Sequence, residues 1–169
     1  RIDTFFLGGV QIDGGANINL VGIGDYPRLK RRFAGSFGSA LMYFAVPRVI
    51  LFREEHSQRT LVERVDFISA PGTSPPEVWR RGGPRALVTG KAVFSFDPGR
   101  ARFRLESVHG GETPETVTEA TGFGFDRVAE VTETPAPAPE RLKRLRRDIA
   151  PQVAEFYPRF AARVWGLAA

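Results

Sequence analysis

The chain has 169 residues, 42% of them hydrophobic and 25% charged, with a formal net charge of +5 and no cysteine. This composition excludes wholesale disorder, and the length fits one domain with a substantial core rather than two large ones. Without cysteine there is no disulfide, thiolate metal site or cysteine nucleophile, and no apolar run approaches the roughly 20 residues that span a bilayer.

The first predicted elements surround a glycine-rich turn. Residues 3–7 are apolar enough for a buried strand, and GGVQIDGGANIN, residues 8–19, turns sharply into a second strand over residues 18–23. We expect Asp13, Asn17 and Asn19 to satisfy the backbone groups of this turn, with a position at the border of a functional site as the alternative.

A second glycine-rich segment follows a polar, basic loop over residues 26–32. The sequence AGSFGSA, residues 34–40, predicts a tight loop that opens a short helix over residues 36–44. Its small residues leave backbone N–H groups uncovered, and such groups at the start of a helix can bind a phosphate or a developing oxyanion.

The middle of the chain predicts a short strand and an ambiguous segment. Residues 49–52 form an apolar strand, residues 60–68 fit a strand or a helix, and residues 69–76 have the chemistry of turns.

The next region contains the clearest hairpin. Residues 86–96 and 101–108 alternate as two strands around a turn at residues 97–99. Thr113, followed by proline and glutamate, predicts the capped start of a brief helix that ends by Gly122.

The C-terminal part predicts helix and carries most of the positive charge. The sequence TPAPAP, residues 134–139, is a stiff linker, and residues 140–165 have helical spacing with interruptions at Pro151 and Pro158. From residue 140 onward seven basic residues stand against three acidic ones. No base-stacking aromatic motif is interleaved with them, so we expect a solvated helix face and no nucleic-acid partner.

Four segments, in this order, resemble the family I CoA-transferases of the β-subunit type. GGVQIDGGANIN is similar to the family's GGAQVDRYGNLN strand-turn-strand, and AGSFGSA to its PGSGGAN loop. EHSQRTLVERVDFISAPG, from residue 55, is similar to EHEKRRFVEKVDYITSPG, and AVFSFDPGRARFRLESVHGGETPETVTEATGF, from residue 92, to a later hairpin and helix. The match runs in order from about Gly8 to Phe125, which is most of the chain.

The resemblance implies a fold and a division of the chain. We expect an α/β protein with a single open-sheet domain of the NagB/RpiA/CoA-transferase-like type over residues 1–133, including the β-hairpin. After this domain we expect a proline-rich linker at residues 134–139 and a C-terminal helical region at residues 140–169.

The resemblance also implies a function. The chain would be a subunit of an acyl-CoA:carboxylate CoA-transferase that acts with an α-type subunit, with coenzyme A entering as acyl-CoA substrate and with no metal. The loop residues expected to line the thioester are Gly35, Ser36, Phe37, Gly38 and Ser39. A subunit of a ring-cleaving acyl-CoA hydrolase and a non-catalytic scaffold for a partner remain alternatives. We expect a cytoplasmic protein, because the sequence has no cysteine and its opening RIDTFFLGG has no visible signal-peptide core. We expect no membrane partner, because no apolar run is long enough to span a bilayer.

Two departures from the family bear on the chemistry. Phe37 stands where the family commonly has glycine, which would narrow the acyl pocket or redirect the backbone. The family's nucleophile is a glutamate in an SENG-like or ESG-like motif upstream of the first glycine-rich segment, and this sequence has no such motif. We therefore expect either that an N-terminal segment is missing or that a partner supplies the glutamate, and we assign no catalytic residue here.

The other polar candidates have structural explanations as well. Four basic residues of the first loop would meet the phosphates of CoA or form a solvated surface: Arg28, Lys30, Arg31 and Arg32. Adjacent strand residues point to opposite faces, so Glu55 and His56 are poorly placed to act on one atom, and we expect a structural or subunit-contact role. With two histidines in the sequence, His109 does not predict a metal site.

Overall fold

The computed structural model describes residues 2–167 and divides into two compact units, the first ending at Thr134 and the second beginning at Pro135. The elements of the first unit are β1 (Thr4–Leu7), β2 (Gln11–Ile12), β3 (Ile18–Asn19), β4 (Gly22–Ile23), β5 (Arg31–Arg32), α1 (Ser39–Ala45), β6 (Arg48–Arg53), β7 (Pro84–Thr89), β8 (Ala92–Asp97), β9 (Arg102–Val108), α2 (Pro114–Ala120) and β10 (Asp126–Glu133). The second unit contains α3 (Pro139–Arg144), a π-helical segment (Leu145–Ile149), α4 (Ala150–Phe156) and α5 (Pro158–Trp165).

Six strands of the first unit form one open sheet in the order β1-β6-β7-β8-β9-β10. The first three run parallel, β8 and β9 continue antiparallel, and β10 pairs parallel with β9. This mixed sheet with helices confirms the expected α/β open-sheet fold.

One face of the sheet carries the core. Successive side chains of a strand point to opposite faces, so alternate residues of the central strands are buried together. Leu51, Leu87, Phe94, Phe103 and Leu105 are fully buried on this face. Phe94 and Phe103 pack edge to face with ring centroids 6.2 Å apart, which is the favoured geometry for aromatic pairs.

The opposite face is apolar and exposed along β1, β6 and β7. Phe6 pairs with Ile50, and Phe52 with Val88, in the parallel register. Phe6 is 62% exposed and Phe52 50% exposed. Parallel strands are normally covered on both faces, so this surface, called the apolar sheet face below, is incompletely covered within residues 2–167.

The first glycine-rich segment is more broken than predicted. Residues 8–19 contain the expected strand-turn-strand as the short pair β2/β3. The predicted strand over residues 18–23 is interrupted, because the Asn19 side chain accepts the N–H groups of Val21 at 2.9 Å and Gly22 at 3.2 Å and turns the chain. Its second half, β4, pairs with β5, so the predicted loop over residues 26–32 ends in a strand.

Two predictions in the middle of the chain are wrong. The strand expected over residues 86–96 is two strands, β7 and β8, because the chain reverses at Gly90, whose N–H donates to the Glu54 carbonyl at 3.0 Å. Residues 60–68 form neither a regular strand nor a helix, and Leu61 makes only an isolated bridge to Ile12. Strand β10 was not predicted.

The hairpin turn and the start of α2 agree with the sequence. Asp97 accepts the N–H of Gly99 at 2.9 Å in the turn between β8 and β9. The Thr113 hydroxyl accepts the N–H of Thr116 at 3.3 Å, and the Thr116 hydroxyl accepts the N–H of Thr113 at 3.0 Å, which is a capping box. Helix α1 begins at Ser39, three residues later than predicted.

The second unit confirms one of its two predicted interruptions. Pro158 starts α5 after a break at Tyr157. The interruption predicted at Pro151 is wrong, because this proline lies in the first turn of α4, where its missing N–H is not needed, and the π-helical segment continues into it. None of the helices within residues 2–167 is long and apolar enough to cross a membrane.

Candidate functional site

The carboxylate of Asp13 is used by the first glycine-rich turn. Its Oδ1 accepts the N–H groups of Gly15 at 3.0 Å and Asn17 at 3.1 Å, and Asn17 Nδ2 lies 3.1 Å from both carboxylate oxygens. The Asn17 side-chain oxygen accepts the N–H of Gly72 at 3.0 Å. The structural role expected for Asp13 and Asn17 is therefore confirmed.

Asn19 is equally occupied. Its Nδ2 donates to Gln11 Oε1 and to the Gly22 carbonyl, both at 2.7 Å, and its oxygen turns the backbone as described above. The side chain is fully buried. A buried amide with its donors and acceptor in use stabilises the turn and is unavailable to a ligand.

The second glycine-rich segment is a surface loop at the start of α1. Gly38 caps the helix with φ of −87°, and Gly35 has φ of +106°. A Cβ at either glycine would meet no atom within 4 Å, and the Phe37 side chain is fully exposed. The loop presents uncovered backbone, and Phe37 projects away from the described residues. The assignment of Gly35, Ser36, Phe37, Gly38 and Ser39 to the thioester stays a prediction.

Glu55 and His56 face different surroundings. Glu55 is partly exposed and forms ion pairs with Arg53 at 3.2 Å and Arg59 at 2.9 Å. Hydrogen bonds from Ser57 and Arg59 lower its pKa. His56 is buried on the other side of the backbone, so the two residues do not act on one atom.

The His56 ring is fixed between two threonine hydroxyls. The Thr121 hydroxyl donates to the Val117 carbonyl at 2.7 Å, so it accepts His56 Nε2–H at 2.9 Å. A neutral imidazole has one N–H, so His56 Nδ1 is an acceptor and the Thr89 hydroxyl donates to it at 2.8 Å. The alternative acceptor for this hydroxyl, the Ala92 carbonyl, is farther away at 3.1 Å. Burial, followed by the charge of Lys91, lowers the pKa of His56 to about 4.

His109 is hydrogen-bonded to Thr89, the residue whose hydroxyl contacts His56. Its Nε2–H donates to the Thr89 carbonyl at 3.0 Å, and its Nδ1 lies 2.9 Å from the Thr134 hydroxyl, which contacts the Ser107 hydroxyl at 2.7 Å. Both histidines thus have structural partners. Within residues 2–167, no group of three or more His, Asp or Glu side chains is arranged to hold a metal ion.

Two of the four basic loop residues line a cleft of about 640 Å³. Lys30 and Arg31 lie there together with Arg53 and Arg59, and we call this the basic cleft. Arg32 follows Arg31 on β5, and adjacent strand residues point to opposite faces. The predicted set is therefore split by the fold.

Sequence reasoning did not single out Arg53 and Arg59. Only their positions in the sequence could have pointed to them. Arg53 ends the apolar strand β6, and Arg59 lies four residues after the acidic Glu55. Their approach to the β4/β5 hairpin depends on tertiary structure, which local patterns do not carry. Arg28, from the predicted set, is exposed on the preceding loop.

This open-sheet α/β unit carries an exposed glycine-rich loop and a basic cleft. Residues 1–120 match the family model described as coenzyme A transferase. The chain belongs to the coenzyme A transferase family.

Curated relatives agree with this assignment. The chain is 35% identical over 153 residues to the B-type subunit of glutaconate CoA-transferase from Acidaminococcus fermentans, covering 86% of this chain and 56% of the relative. It is 34% identical over 152 residues to the B-type subunit of 3-oxoadipate CoA-transferase from Pseudomonas knackmussii, covering 86% and 58%. The chain thus spans a little more than half the length of these relatives.

Solved structures show the same fold. The crystal structure of the Acidaminococcus fermentans glutaconate coenzyme A-transferase superposes with a TM-score of 0.78 at 33% identity, over 89% of this chain and 60% of that one. The structure of Rhodococcus jostii IpdAB superposes with a TM-score of 0.81 at 26% identity, over 88% and 61%. The IpdB subunit of that organism is named a cholesterol ring-cleaving hydrolase subunit.

Proposed function

We propose that this chain is part of an acyl-CoA:carboxylate CoA-transferase and that the loop from Gly35 to Ser39 lines the acyl-CoA thioester. The observation that carries the proposal is the family match over residues 1–120, which includes this loop. The two CoA-transferase relatives are both B-type subunits of their enzymes. An α-type partner subunit is therefore part of the proposal.

The chemistry assigned to the loop is stabilisation of charge. When CoA moves between carboxylic acids, negative charge develops on the thioester carbonyl oxygen, and backbone N–H groups are suitable donors to it. The N–H of Ser39 is already bonded to the Ser36 carbonyl at 2.7 Å. We therefore assign the donor role to Gly38, where open space around the backbone supports close approach of a substrate.

The nucleophile lies outside this sequence in our proposal. The family's glutamate motif does not occur among the 169 residues. Glu55 is not a substitute, because Arg53, Arg59 and Ser57 occupy both of its carboxylate oxygens.

A glycine substitution tests the loop. The full-length gene product that contains this sequence is purified with its α-type partner, and exchange of CoA between an acyl-CoA and acetate is measured. Gly38→Ala places a methyl group where nothing lies within 4 Å, so the thermal midpoint stays unchanged while the methyl obstructs the thioester. A thioester displaced by the methyl group no longer reaches the Gly38 N–H. We therefore expect kcat to fall by about 100-fold, the effect typical of losing one oxyanion donor.

The matched control is Gly124→Ala, whose Cβ would lie at an ordinary 3.6 Å from Arg102 Nη2. It should change neither kcat nor the thermal midpoint. Absence of exchange in the unaltered complex refutes the transferase. Unchanged kcat in Gly38→Ala refutes the loop assignment and favours a scaffold role.

A hydrolase subunit is the second candidate, favoured by the TM-score of 0.81 to Rhodococcus jostii IpdAB. A hydrolase releases free CoA without an acceptor acid. Measuring free thiol with and without acetate in the same complex separates the two activities.

A further inference from the structure

The basic cleft gathers positive charge from separate parts of the chain. Lys30 and Arg31 come from the β4/β5 hairpin, Arg53 ends β6, and Arg59 follows in the next loop. Within residues 2–167, the lining of this cleft includes no carboxylate. Like charges held together repel each other, so the arrangement favours an anion between them.

One carboxylate beside the cleft orients its arginines. Glu55 Oε1 accepts Arg59 Nε at 3.0 Å and Nη2 at 2.9 Å, and Glu55 Oε2 accepts Arg53 Nη2 at 3.2 Å. Glu55 offsets one of the four cations, and the Asp66 carboxylate lies nearby, where it accepts Nε2 of the lining residue Gln11 at 3.3 Å. The cleft therefore keeps an excess of positive charge. Glu55 uses Nε and Nη2 of Arg59 and Nη2 of Arg53, and in the described part of the chain the Nη1 group of each arginine is left to donate to an oxyanion.

Arg53 also has a donor without an acceptor. Its Nε is buried and has no hydrogen-bond partner among the described residues. A buried N–H without an acceptor destabilises the protein. A small rotation of the guanidinium toward an anion in the cleft would supply one.

We propose that the basic cleft binds the phosphate groups of a nucleoside phosphate, which, resting on the proposed function, is the phosphorylated adenosine end of acyl-CoA. A phosphate monoester carries close to two charges at neutral pH, and four cations match it better than they match one carboxylate. Val10, Ile23 and Phe33 also line the cleft, beside the polar Gln11 and Thr60, and offer an apolar surface to the nucleoside. The volume of about 640 Å³ lies in the range of roughly 300–1,000 Å³ typical of small-molecule sites.

Direct binding tests this assignment without any catalytic step. Adenosine 3′,5′-bisphosphate, inorganic phosphate and glutarate are titrated separately into the protein by calorimetry, at low and at raised ionic strength. We expect the bisphosphate to bind tightest, inorganic phosphate more weakly, and the dicarboxylate least. Binding of glutarate as tight as that of the bisphosphate overturns the phosphate assignment, and so does the absence of bisphosphate binding.

Neighbouring arginines on β5 provide the matched pair of variants. Arg31→Gln removes a cation from the cleft, whereas Arg32→Gln removes the same charge from the opposite side of the strand. We expect Arg31→Gln and Arg59→Gln each to weaken bisphosphate binding about tenfold, and Arg32→Gln to change it less than about twofold. Equal weakening by Arg31→Gln and Arg32→Gln would mean a diffuse field rather than a site and would overturn the proposal.

The outcome is separable from that of the proposed function. A protein that binds the bisphosphate but exchanges no CoA supports the cleft and refutes the transferase. Exchange activity with unaltered bisphosphate affinity in Arg31→Gln and Arg59→Gln supports the transferase and refutes the cleft.

Discussion

The hydroxyl of Tyr43 donates a hydrogen bond of 2.7 Å to the carbonyl oxygen of Ala16. This bond joins the two glycine-rich segments, because Ala16 lies in the first and Tyr43 lies in the helix that opens from the second. Both residues are fully buried, and Ala16 has φ of +57°, which residues other than glycine seldom adopt. Burial raises the pKa of Tyr43, so the hydroxyl keeps its proton and remains a donor.

Replacing Tyr43 by phenylalanine should destabilise the protein. Tyr43→Phe leaves the buried Ala16 carbonyl without this donor, and we expect the free energy of unfolding to fall by about 1–3 kcal/mol. Urea unfolding measures the change. Tyr26→Phe is the control, because Tyr26 is 59% exposed and should lose little. Equal losses in the two variants would show that the Ala16 bond does not hold the turn.

Arg80 should not tolerate lysine. Its Nη1 donates to the Gly72 carbonyl at 2.7 Å and its Nη2 to the Pro71 carbonyl at 2.6 Å, while the guanidinium lies 4.3 Å from the Phe44 ring centroid. A lysine ammonium lacks the planar fork needed for all three contacts. We expect Arg80→Lys to lower the free energy of unfolding by about 1–3 kcal/mol.

The neighbouring residue provides the control for this substitution. Arg81 is exposed, so Arg81→Lys should stay within about 0.5 kcal/mol of the parent. The thermal midpoint of both variants gives a second measurement. If Arg80→Lys is as stable as Arg81→Lys, the fork does not support the loop over residues 69–83.

Stability should fall in mild acid because of His56. The pKa of this histidine is lowered from 6.5 to about 4 in the folded protein. Between these values the unfolded chain binds a proton that the folded chain does not, so the His56 contribution is complete above pH 6.5 and is lost as the pH falls toward 4. Its slope is at most about 1.4 kcal/mol per pH unit.

The His56→Gln variant isolates this titration from that of the carboxylates. The difference in free energy of unfolding between the parent and the variant should shrink as the pH is lowered through this window. Urea unfolding at several pH values gives the difference directly. A difference that does not vary with pH would mean that His56 has an ordinary pKa in the folded state.

The sequence predicted elements where local chemistry decides them. The capped start at Thr113, the turn at Asp97 and the strand over residues 49–52 depend on side chains within a few positions, and each is present in the structure. Strand β10 was not predicted because residues 126–133 are mostly polar or partly exposed and depend on pairing with β9.

At the candidate site, too, features set by neighbouring residues were predicted and features set by tertiary contacts were not. Side chains that bond their own turn, such as Asp13 and Asn19, were recognised from the sequence. The basic cleft was recognised only in part, because Arg53 and Arg59 reach Lys30 and Arg31 through the folding of distant segments. The single strand predicted over residues 86–96 was wrong because the chain reverses at Gly90, just after β7. The contact with Glu54 that fixes this reversal is distant in sequence.

The apolar sheet face gives the last prediction. Phe6 and Phe52 lie on the same face, because Phe6 pairs with Ile50 and residues 50 and 52 point to the same side of β6. Contiguous exposed apolar surface promotes association. We expect the 169-residue chain alone to bind a hydrophobic dye and to self-associate, and the double substitution Phe6→Thr with Phe52→Thr to reduce both. Threonine keeps the strand preference, so the thermal midpoint should change little.

An exposed aromatic elsewhere separates this surface from general hydrophobicity. Trp79 is 73% exposed and lies outside the sheet, so Trp79→Thr removes a larger ring without altering the apolar sheet face. Light scattering and dye fluorescence of the two variants are compared with those of the parent at equal concentration. If the double variant still self-associates, or if Trp79→Thr reduces self-association to the same extent, the apolar sheet face is not the surface responsible.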